Sequence, residues 1–144
     1  MVPRWVEGNV PKSKKVLDFG SGPPARHTMS LREKGYTDVT AHEFGDNVQE
    51  GVHDPKALSK EYDVVFASNV LNVQSSEAML KRTLKQIRDS VKKGGLAVFN
   101  YPASPRKAGL KVASVAGAIA EVFPGEVERV SQGSEAPMWT AKWS

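Results

Sequence analysis

Two acidic residues accompany a glycine turn near the start of the chain, at a spacing that suits recognition of a nucleoside. Asp18 precedes Gly20, and Gly22 completes a Gly-x-Gly turn. Glu43 follows about 20 residues after Gly22, where nucleotide-binding βαβ units place the acid that binds ribose hydroxyls. Because glycine lacks a Cβ, a ligand can approach the backbone of this turn closely. These residues together predict a nucleoside-binding site.

A nicotinamide cofactor is an alternative ligand, because Gly20, Gly22 and Ala25 match the dinucleotide-binding pattern G-x-G-x-x-G/A. Pro23 and Pro24 lack the backbone N–H donors that a pyrophosphate needs, and the Asp18 carboxylate disfavours an anion. A cationic ligand without phosphate suits the turn better. S-adenosylmethionine (SAM) is such a ligand, because it combines a sulfonium and an ammonium with adenosine.

Several segments follow one another in an order that is typical of one enzyme family. They are residues 16–22 around the glycine turn, 39–43 ending in the ribose acid, 53–55, 62–71 and 92–99. In these segments the chain resembles class I SAM-dependent methyltransferases, and the match covers nearly its whole length. The chain departs from the family pattern at Pro24, where a third glycine is usual, and in residues 45–52, which are too few for an ordinary second helix.

The resemblance implies an α/β fold: a doubly wound, mostly parallel Rossmann-like sheet with an antiparallel C-terminal strand and a minimal N-terminal extension. Hydrophobic periodicity predicts helices over 25–34, from Ser75 or Ser76 to Gly94-Gly95, and over 112–122. Strands are expected over 37–44, 63–68, 96–101 and 126–130, with a closing strand around Trp139 and a short strand within 45–61. Prolines 3 and 11 disfavour a long N-terminal helix, so we expect a helix-poor N-terminus.

Length and composition indicate a single domain over residues 1–144. The chain has no cysteine and 3 histidines, so we expect neither disulfides nor a metal site. No apolar run reaches the roughly 18 residues of a membrane helix, and we expect a cytoplasmic protein without a membrane partner. A net charge of +4 is compatible with an acidic partner but also common in proteins that have none.

The resemblance and the strand ends together nominate the site residues. The cofactor-binding residues are expected to be Asp18, Gly20, Ser21, Gly22, Glu43, Phe44, Asp54 and Ser68. Asn69 and Tyr101 are the expected catalytic residues, because methyl transfer mainly needs alignment of an acceptor atom with the methyl group. Plainer interpretations stay open: the acids can cap turns or pair with lysines, Asp54 before a proline is a common turn former, and Tyr101 can simply pack at a strand end.

The leading hypothesis is a SAM-dependent methyltransferase with an unidentified acceptor. A SAM-binding domain without catalysis, acting as a partner or a SAM sink, is the alternative, and a nicotinamide-dependent oxidoreductase is a weaker one. Residues 68–72 lack the Asn/Asp-Pro-Pro-aromatic motif of amino-methylating DNA enzymes, which favours small molecules, proteins or ribosomal RNA as acceptors. A helix-poor N-terminus would leave the site open to a macromolecule or to a second copy of the chain. A macromolecule would be met by Arg26, Arg106, Lys107 and Lys111.

Overall fold

A 6-stranded sheet forms the centre of the fold. The computed structural model describes residues 2–71, 76–101, 110–130 and 137–143. The strands are β1 (Val16–Asp18), β2 (Val39–Ala41), β3 (Tyr62–Ala67), β4 (Val91–Asn100), β5 (Val127–Arg129) and β6 (Met138–Lys142). Their order is β2-β1-β3-β4-β6-β5; the first four are parallel, and β6 is antiparallel to both of its neighbours. This confirms the predicted mostly parallel sheet with an antiparallel C-terminal end.

Helices cover both faces of the sheet, as a doubly wound fold requires. They are α1 (Val2–Asn9), α2 (Arg26–Glu33), α3 (Glu77–Ser90) and α4 (Val112–Val122). Leu84 of α3 and Ile119 of α4 pack with alternate strand residues such as Val65 in one hydrophobic cluster. Val6 of α1 and Leu31 of α2 belong to a second cluster on the opposite face. Two apolar layers therefore enclose the strands. Among the described helices, none is long and apolar enough to cross a membrane.

The N-terminal helix α1 corrects the expectation of a helix-poor N-terminus. Pro3 is compatible with it because proline is tolerated in the first turn of a helix, where its missing N–H has no helical partner. Val2 and Val6 are fully buried against the sheet. The Tyr36 hydroxyl, which is buried, donates to the Val10 carbonyl over 2.7 Å just beyond the helix end. Burial of one apolar stripe thus stabilises a helix that local propensity disfavours.

The prediction of a short strand within residues 45–61 is wrong. The segment instead contains two 3-10 turns, Gly45–Asn47 and Ala57–Ser59. Between them, the Val52 and His53 amides both donate to the Gln49 carbonyl, so the backbone hydrogen bonds are closed locally. Because these groups are engaged in a turn, they do not extend the sheet beyond β2.

The junction between α3 and β4 lies earlier than the glycines suggest. The predicted start of α3 is confirmed at Ser76, whose hydroxyl accepts from the Met79 amide over 3.2 Å. The helix ends at Ser90, and β4 begins at Val91 and runs through both glycines. A Cβ at Gly95 would lie 2.8 Å from the Asp63 carbonyl oxygen, so the glycine permits close strand contact rather than ending the helix.

Candidate active site

The glycine turn leaves β1 at the point where the sheet is wound in both directions. Strand β1 pairs with β2 on one side and with β3 on the other, and such switch points are where open α/β sheets bind ligands. Gly20 and Gly22 have φ values of 64° and 84°, in the left-handed region that glycine adopts readily. Ala25, at 47°, adopts the same region immediately before α2.

The backbone amides of this turn are already occupied by groups of the protein. The donors and their acceptors are Gly20 to His42 Nδ1 (3.1 Å), Ser21 to the His42 carbonyl (2.7 Å), Gly22 to Glu43 Oε2 (2.6 Å) and Ala25 to the Gly22 carbonyl (3.1 Å). Pro23 and Pro24 have no amide hydrogen. The turn therefore does not present the cluster of free N–H groups that binds a pyrophosphate in dinucleotide-binding folds.

Glu43 lies at the end of β2, and its carboxylate reaches back to the glycine turn. One oxygen accepts from the Gly22 amide over 2.6 Å, and the other accepts from the Phe44 amide over 2.8 Å. The side chain is half-buried. Each carboxylate oxygen has further lone pairs, so Glu43 can still accept hydroxyl groups of a ligand. The structure thus brings the two halves of the predicted motif into direct contact.

Two histidines that the sequence analysis did not assign to the site brace the same turn. His42 Nδ1 accepts from the Gly20 amide, so this nitrogen carries no proton, and burial lowers the pKa of His42 to about 4. His53 Nδ1 accepts from the Gln49 amide over 2.9 Å. The proton of His53 therefore lies on Nε2, which donates to the Gly22 carbonyl over 2.8 Å. The His42 position directly before the acid was the available signal, whereas the His53 contact depends on the loop path.

Asp18 lies under the turn rather than on its surface. It is 1% exposed, and its Oδ2 accepts from the Thr28 hydroxyl over 2.7 Å. Burial raises the pKa of Asp18 to about 7, and the nearby Glu43 carboxylate adds to the rise, while hydrogen bonds from Thr28 oppose it. The acid ties β1 to the first turn of α2, which is the capping role that the sequence left open. Its role in cofactor binding stays a prediction.

Asp54 makes the contacts of a turn former. Its Oδ1 accepts from the Lys56 amide over 2.8 Å, and its Oδ2 pairs with Lys60 over 3.1 Å. These contacts, with the backbone hydrogen bond as the larger cause, lower the pKa of Asp54. The Asp54 amide donates to the Ala41 carbonyl over 3.0 Å, which holds this loop at the end of β2. Asp54 is therefore near the site, and its predicted contact with the cofactor stays a prediction.

Ser68 and Asn69 follow β3 directly, and Asn100 and Tyr101 lie at the end of β4. The Asn69 amide donates to Asn100 Oδ1, and Asn100 Nδ2 donates to Asn69 Oδ1, both over 2.8 Å. Asn100 was not among the predicted site residues, because its contact depends on the pairing of β3 with β4. Tyr101 is 3% exposed and packs in the hydrophobic cluster beneath α3 and α4. The catalytic roles of Asn69 and Tyr101 stay predictions.

An aromatic cluster borders the turn on the side of β2. The rings of Phe19 and His42 stack with centroids 4.6 Å apart, and Phe44 contacts both rings edge-on. Phe44 is 39% exposed, so part of its ring is accessible to a ligand. Val70 packs so tightly over Gly20 that a Cβ there would lie 2.9 Å from Val70 Cγ2 and 3.5 Å from Phe44 Cε2. Phe44 and Val70 therefore both pack against the first glycine of the turn.

Comparison with protein families gives a match along almost all of the chain. The model of a family described as "Methyltransferase domain" matches residues 4–143. A search of curated protein sequences finds no match.

Solved structures of methyltransferases share the fold. A TehB-like SAM-dependent methyltransferase from Corynebacterium glutamicum superposes with a TM-score of 0.75 at 20% identity, covering 99% of this chain and 86% of that one. A sugar N-methyltransferase from Streptoalloteichus gives 0.72 at 14% identity, with 99% and 85% coverage. Magnesium protoporphyrin IX methyltransferase from Synechocystis, solved with bound SAM, gives 0.68 at 16% identity, with 99% and 76% coverage.

Proposed function

We propose that SAM binds at the glycine turn of this chain, which belongs to the methyltransferase domain family. Membership confirms the identification as a SAM-dependent methyltransferase. The choice of ligand for this turn rests on its backbone amides, which already donate to His42, Glu43 and Gly22. A ligand that needs backbone donors for phosphate is disfavoured there, whereas a cationic nucleoside is not.

The residues around the turn fit a nucleoside joined to a cationic amino acid. Glu43 would accept the ribose hydroxyls through its remaining lone pairs, and the exposed Phe44 ring offers an apolar surface to the adenine. At Gly22, a Cβ would meet no atom of the described residues within 4 Å, so this part of the turn is open to a ligand. Asp18, Ser21 and Ser68 complete the predicted set, and Asp54 would lie on the adenine side. Bound SAM supplies a sulfonium methyl group that is ready for displacement.

The protein's own contribution is to position an acceptor and to exclude water. Asn69 is exposed at the end of β3, where its amide can orient an acceptor or the amino-acid end of the cofactor. Tyr101 directly follows β4 and is buried, so a catalytic role for its hydroxyl requires an acceptor that reaches into the site. We propose alignment, rather than a strong base, as the main source of rate enhancement.

For the acceptor we propose a macromolecule that approaches over the carboxyl ends of the strands, or a site completed by a second copy of the chain. Arg26 and Lys111 are exposed and support an acidic partner, while Arg106 and Lys107 lie outside the described residues.

Salt-dependent binding of an anionic polymer to a monomer would support a macromolecular acceptor. A dimer that persists at low micromolar concentration in sedimentation would support the second copy. A monomer that methylates a small metabolite and ignores polymers would overturn both.

We also propose a cytoplasmic location for this chain. Cell fractionation tests it.

The function itself is tested by incubation with methyl-labelled SAM and a broad panel of small molecules, proteins and RNA. Transfer of label that is lost in Glu43→Ala supports catalysis at this site. Tight binding of SAM without transfer to any member of the panel would favour the alternative of a binding protein. Calorimetry with NADH provides the second comparison: binding of NADH in preference to SAM would contradict the proposal.

A further inference from the structure

Asn69 and Asn100 form a reciprocal pair of hydrogen bonds between the ends of β3 and β4. Asn100 is 2% exposed, and both of its side-chain polar atoms are engaged with Asn69, each over 2.8 Å. Asn69 itself has a φ of 58°, in the left-handed region that asparagine tolerates better than most residues. The pair therefore holds one exposed residue in a specific and unusual backbone conformation.

The hydrogen bonds determine which way both amide groups point. The Asn69 backbone N–H can only donate, so the Asn100 atom that faces it must be the oxygen. Asn100 Nδ2 is then the donor in the second bond, and the Asn69 atom that faces it must be Oδ1. Asn69 is an exposed residue, and its amide nitrogen makes no hydrogen bond to another described residue. The loop after β3 thus presents an N–H donor.

That donor lies beside the turn where backbone donors are scarce. Val70, the next residue, packs directly over Gly20. The Gly20, Ser21, Gly22 and Ala25 amides are occupied by protein groups. An anionic group bound at this turn therefore needs hydrogen bonds from side chains of the surrounding loops. The amino-acid end of SAM carries one such group, its carboxylate.

We propose that Asn100 is a positioning residue that fixes Asn69 so that Asn69 Nδ2 donates to the methionine carboxylate of SAM. The inference rests on the proposed cofactor site. It assigns Asn69 a contact with the cofactor and assigns Asn100 an action through Asn69. The reciprocal amide pair prevents the Asn69 side chain from rotating to present its oxygen, which would repel the carboxylate.

Calorimetric titration with SAM and with decarboxylated SAM tests the contact, because the two ligands differ only in the carboxylate. Asn69→Asp suits the test: aspartate tolerates the left-handed region and keeps the oxygen that accepts from Asn100, but it replaces the amide N–H donor with a charged oxygen. We expect this variant to bind SAM on the order of 10- to 100-fold more weakly. It should bind decarboxylated SAM, which is cationic and has no carboxylate to repel, at least as tightly as the native protein does. Asn9→Asp, the same change at the far end of α1, is the control and should alter neither affinity.

Asn100→Leu tests the positioning role, since it removes both hydrogen bonds and keeps the branching of the side chain. We expect a loss of SAM affinity of roughly 3- to 10-fold, again without a change for decarboxylated SAM. Asn100→Ser serves if the leucine variant does not fold. Equal losses for both ligands, or unchanged SAM affinity in Asn69→Asp, would overturn the inference. Native protein that binds neither ligand would instead overturn the proposed cofactor site.

Discussion

At the carboxyl end of the parallel strands, three polar side chains are buried and hydrogen-bonded to uncharged groups, whereas at the amino end Asp63 and Lys92 form an ion pair in contact with solvent. Asp18, His42 and Asn100 are 1%, 7% and 2% exposed, and their partners are within the turn, α2 and the loop after β3. At the amino end, Asp63 accepts from the Lys15 amide over 2.8 Å and pairs with Lys92 over 2.5 Å. The Lys92 side chain there is 54% exposed.

The difference shows why a cavity alone does not identify the functional end of this sheet. A cavity of about 360 Å³ opens at the amino end, lined by residues that include Lys14, Asp63 and Gly95. The hydrogen-bonded ion pair with Lys92 is the main cause that lowers the pKa of Asp63, so the carboxyl group stays in its ordinary charged form. The carboxyl end instead holds Asp18 and His42 in environments that favour their neutral forms, which is costly for stability and typical of functional sites.

Alanine at a left-handed glycine should separate the two ends most strongly. Gly20→Ala combines left-handed strain with overlap against Val70, so we expect the free energy of unfolding to fall by about 2–4 kcal/mol. SAM affinity should fall by more than roughly 10-fold, because the turn must shift.

Gly94→Ala, at the amino end, is the matched control. Gly94 has a φ of 84°, but a Cβ there would meet no atom of the described residues within 4 Å. The substitution should cost only about 1–2 kcal/mol of strain and leave SAM affinity unchanged. Denaturant unfolding and calorimetry measure both, and equal affinities in the two variants would contradict the assignment.

Removal of one carboxylate at each end should also distinguish the two ends. Glu43→Ala deletes the acceptor of the Gly22 amide and the expected ribose contact, so SAM binding should weaken by about 1.5–3 kcal/mol. Asp63→Ala, the matched change at the amino end, should leave SAM affinity as it is. Titration of both folded variants decides the matter, and unchanged affinity in Glu43→Ala would place the ribose elsewhere.

The pH dependence of stability should also distinguish the ends. The folded pKa of Asp18 is raised from 3.8 to about 7, so its stabilising contribution is complete below the lower value and is lost as pH rises through the higher one. The folded pKa of His42 is lowered from 6.5 to about 4, so its contribution is complete above the higher value and is lost as pH falls through the lower one. The two effects oppose each other in the native protein.

Asp18→Asn should therefore unmask the histidine, and the free energy of unfolding should rise with pH by up to about 1.4 kcal/mol per unit between roughly pH 4 and 6.5. Asp63→Asn is the control, because the pKa of Asp63 is lowered and its contribution is lost only in more acidic solution. Denaturant unfolding across this range provides the measurement. A parallel change in slope for both variants would mean that burial of Asp18 is not the cause.

The smallest effect should come from the exposed ion pair. Lys92→Ala removes the partner of Asp63 but leaves the Lys15 amide in place, so the free energy of unfolding should fall by less than about 1 kcal/mol. Raised salt should reduce the difference between the variant and the native protein. A loss of SAM affinity in this variant would break the proposed division between the two ends.

Features encoded by local spacing could be predicted from the sequence. The acid before the glycine turn, the second acid at the end of β2 and the cap of α3 at Ser76 all depend on neighbouring residues. The order of elements and the mostly parallel sheet follow from the same patterns. The helical repeat of Leu84 and Ile87 does not reveal where α3 ends, because Val91 continues its spacing while it already pairs with Tyr62 in the sheet.

Contacts between distant segments could not be predicted. The hydrogen bonds between Asn100 and Asn69 depend on the register of β3 against β4. The hydrogen bond from His53 to the Gly22 carbonyl depends on the path of a loop whose own hydrogen bonds are local. The hydrogen bond from Thr28 to Asp18 likewise depends on how α2 leaves the turn. Helix α1 was missed because burial of Val2 and Val6 outweighs the local effect of proline.

We expect the cofactor to bind at the carboxyl end of the sheet, against the glycine turn. Titration of uniformly ¹⁵N-labelled protein with SAM, followed by amide chemical shifts, tests this placement. We predict shifts at Gly20, Ser21, Gly22, Phe44 and Asn69, and unchanged signals at Lys92, Gly94 and Gly95. Shifts confined to the residues that line the amino-end cavity, with the glycine turn unchanged, would contradict it.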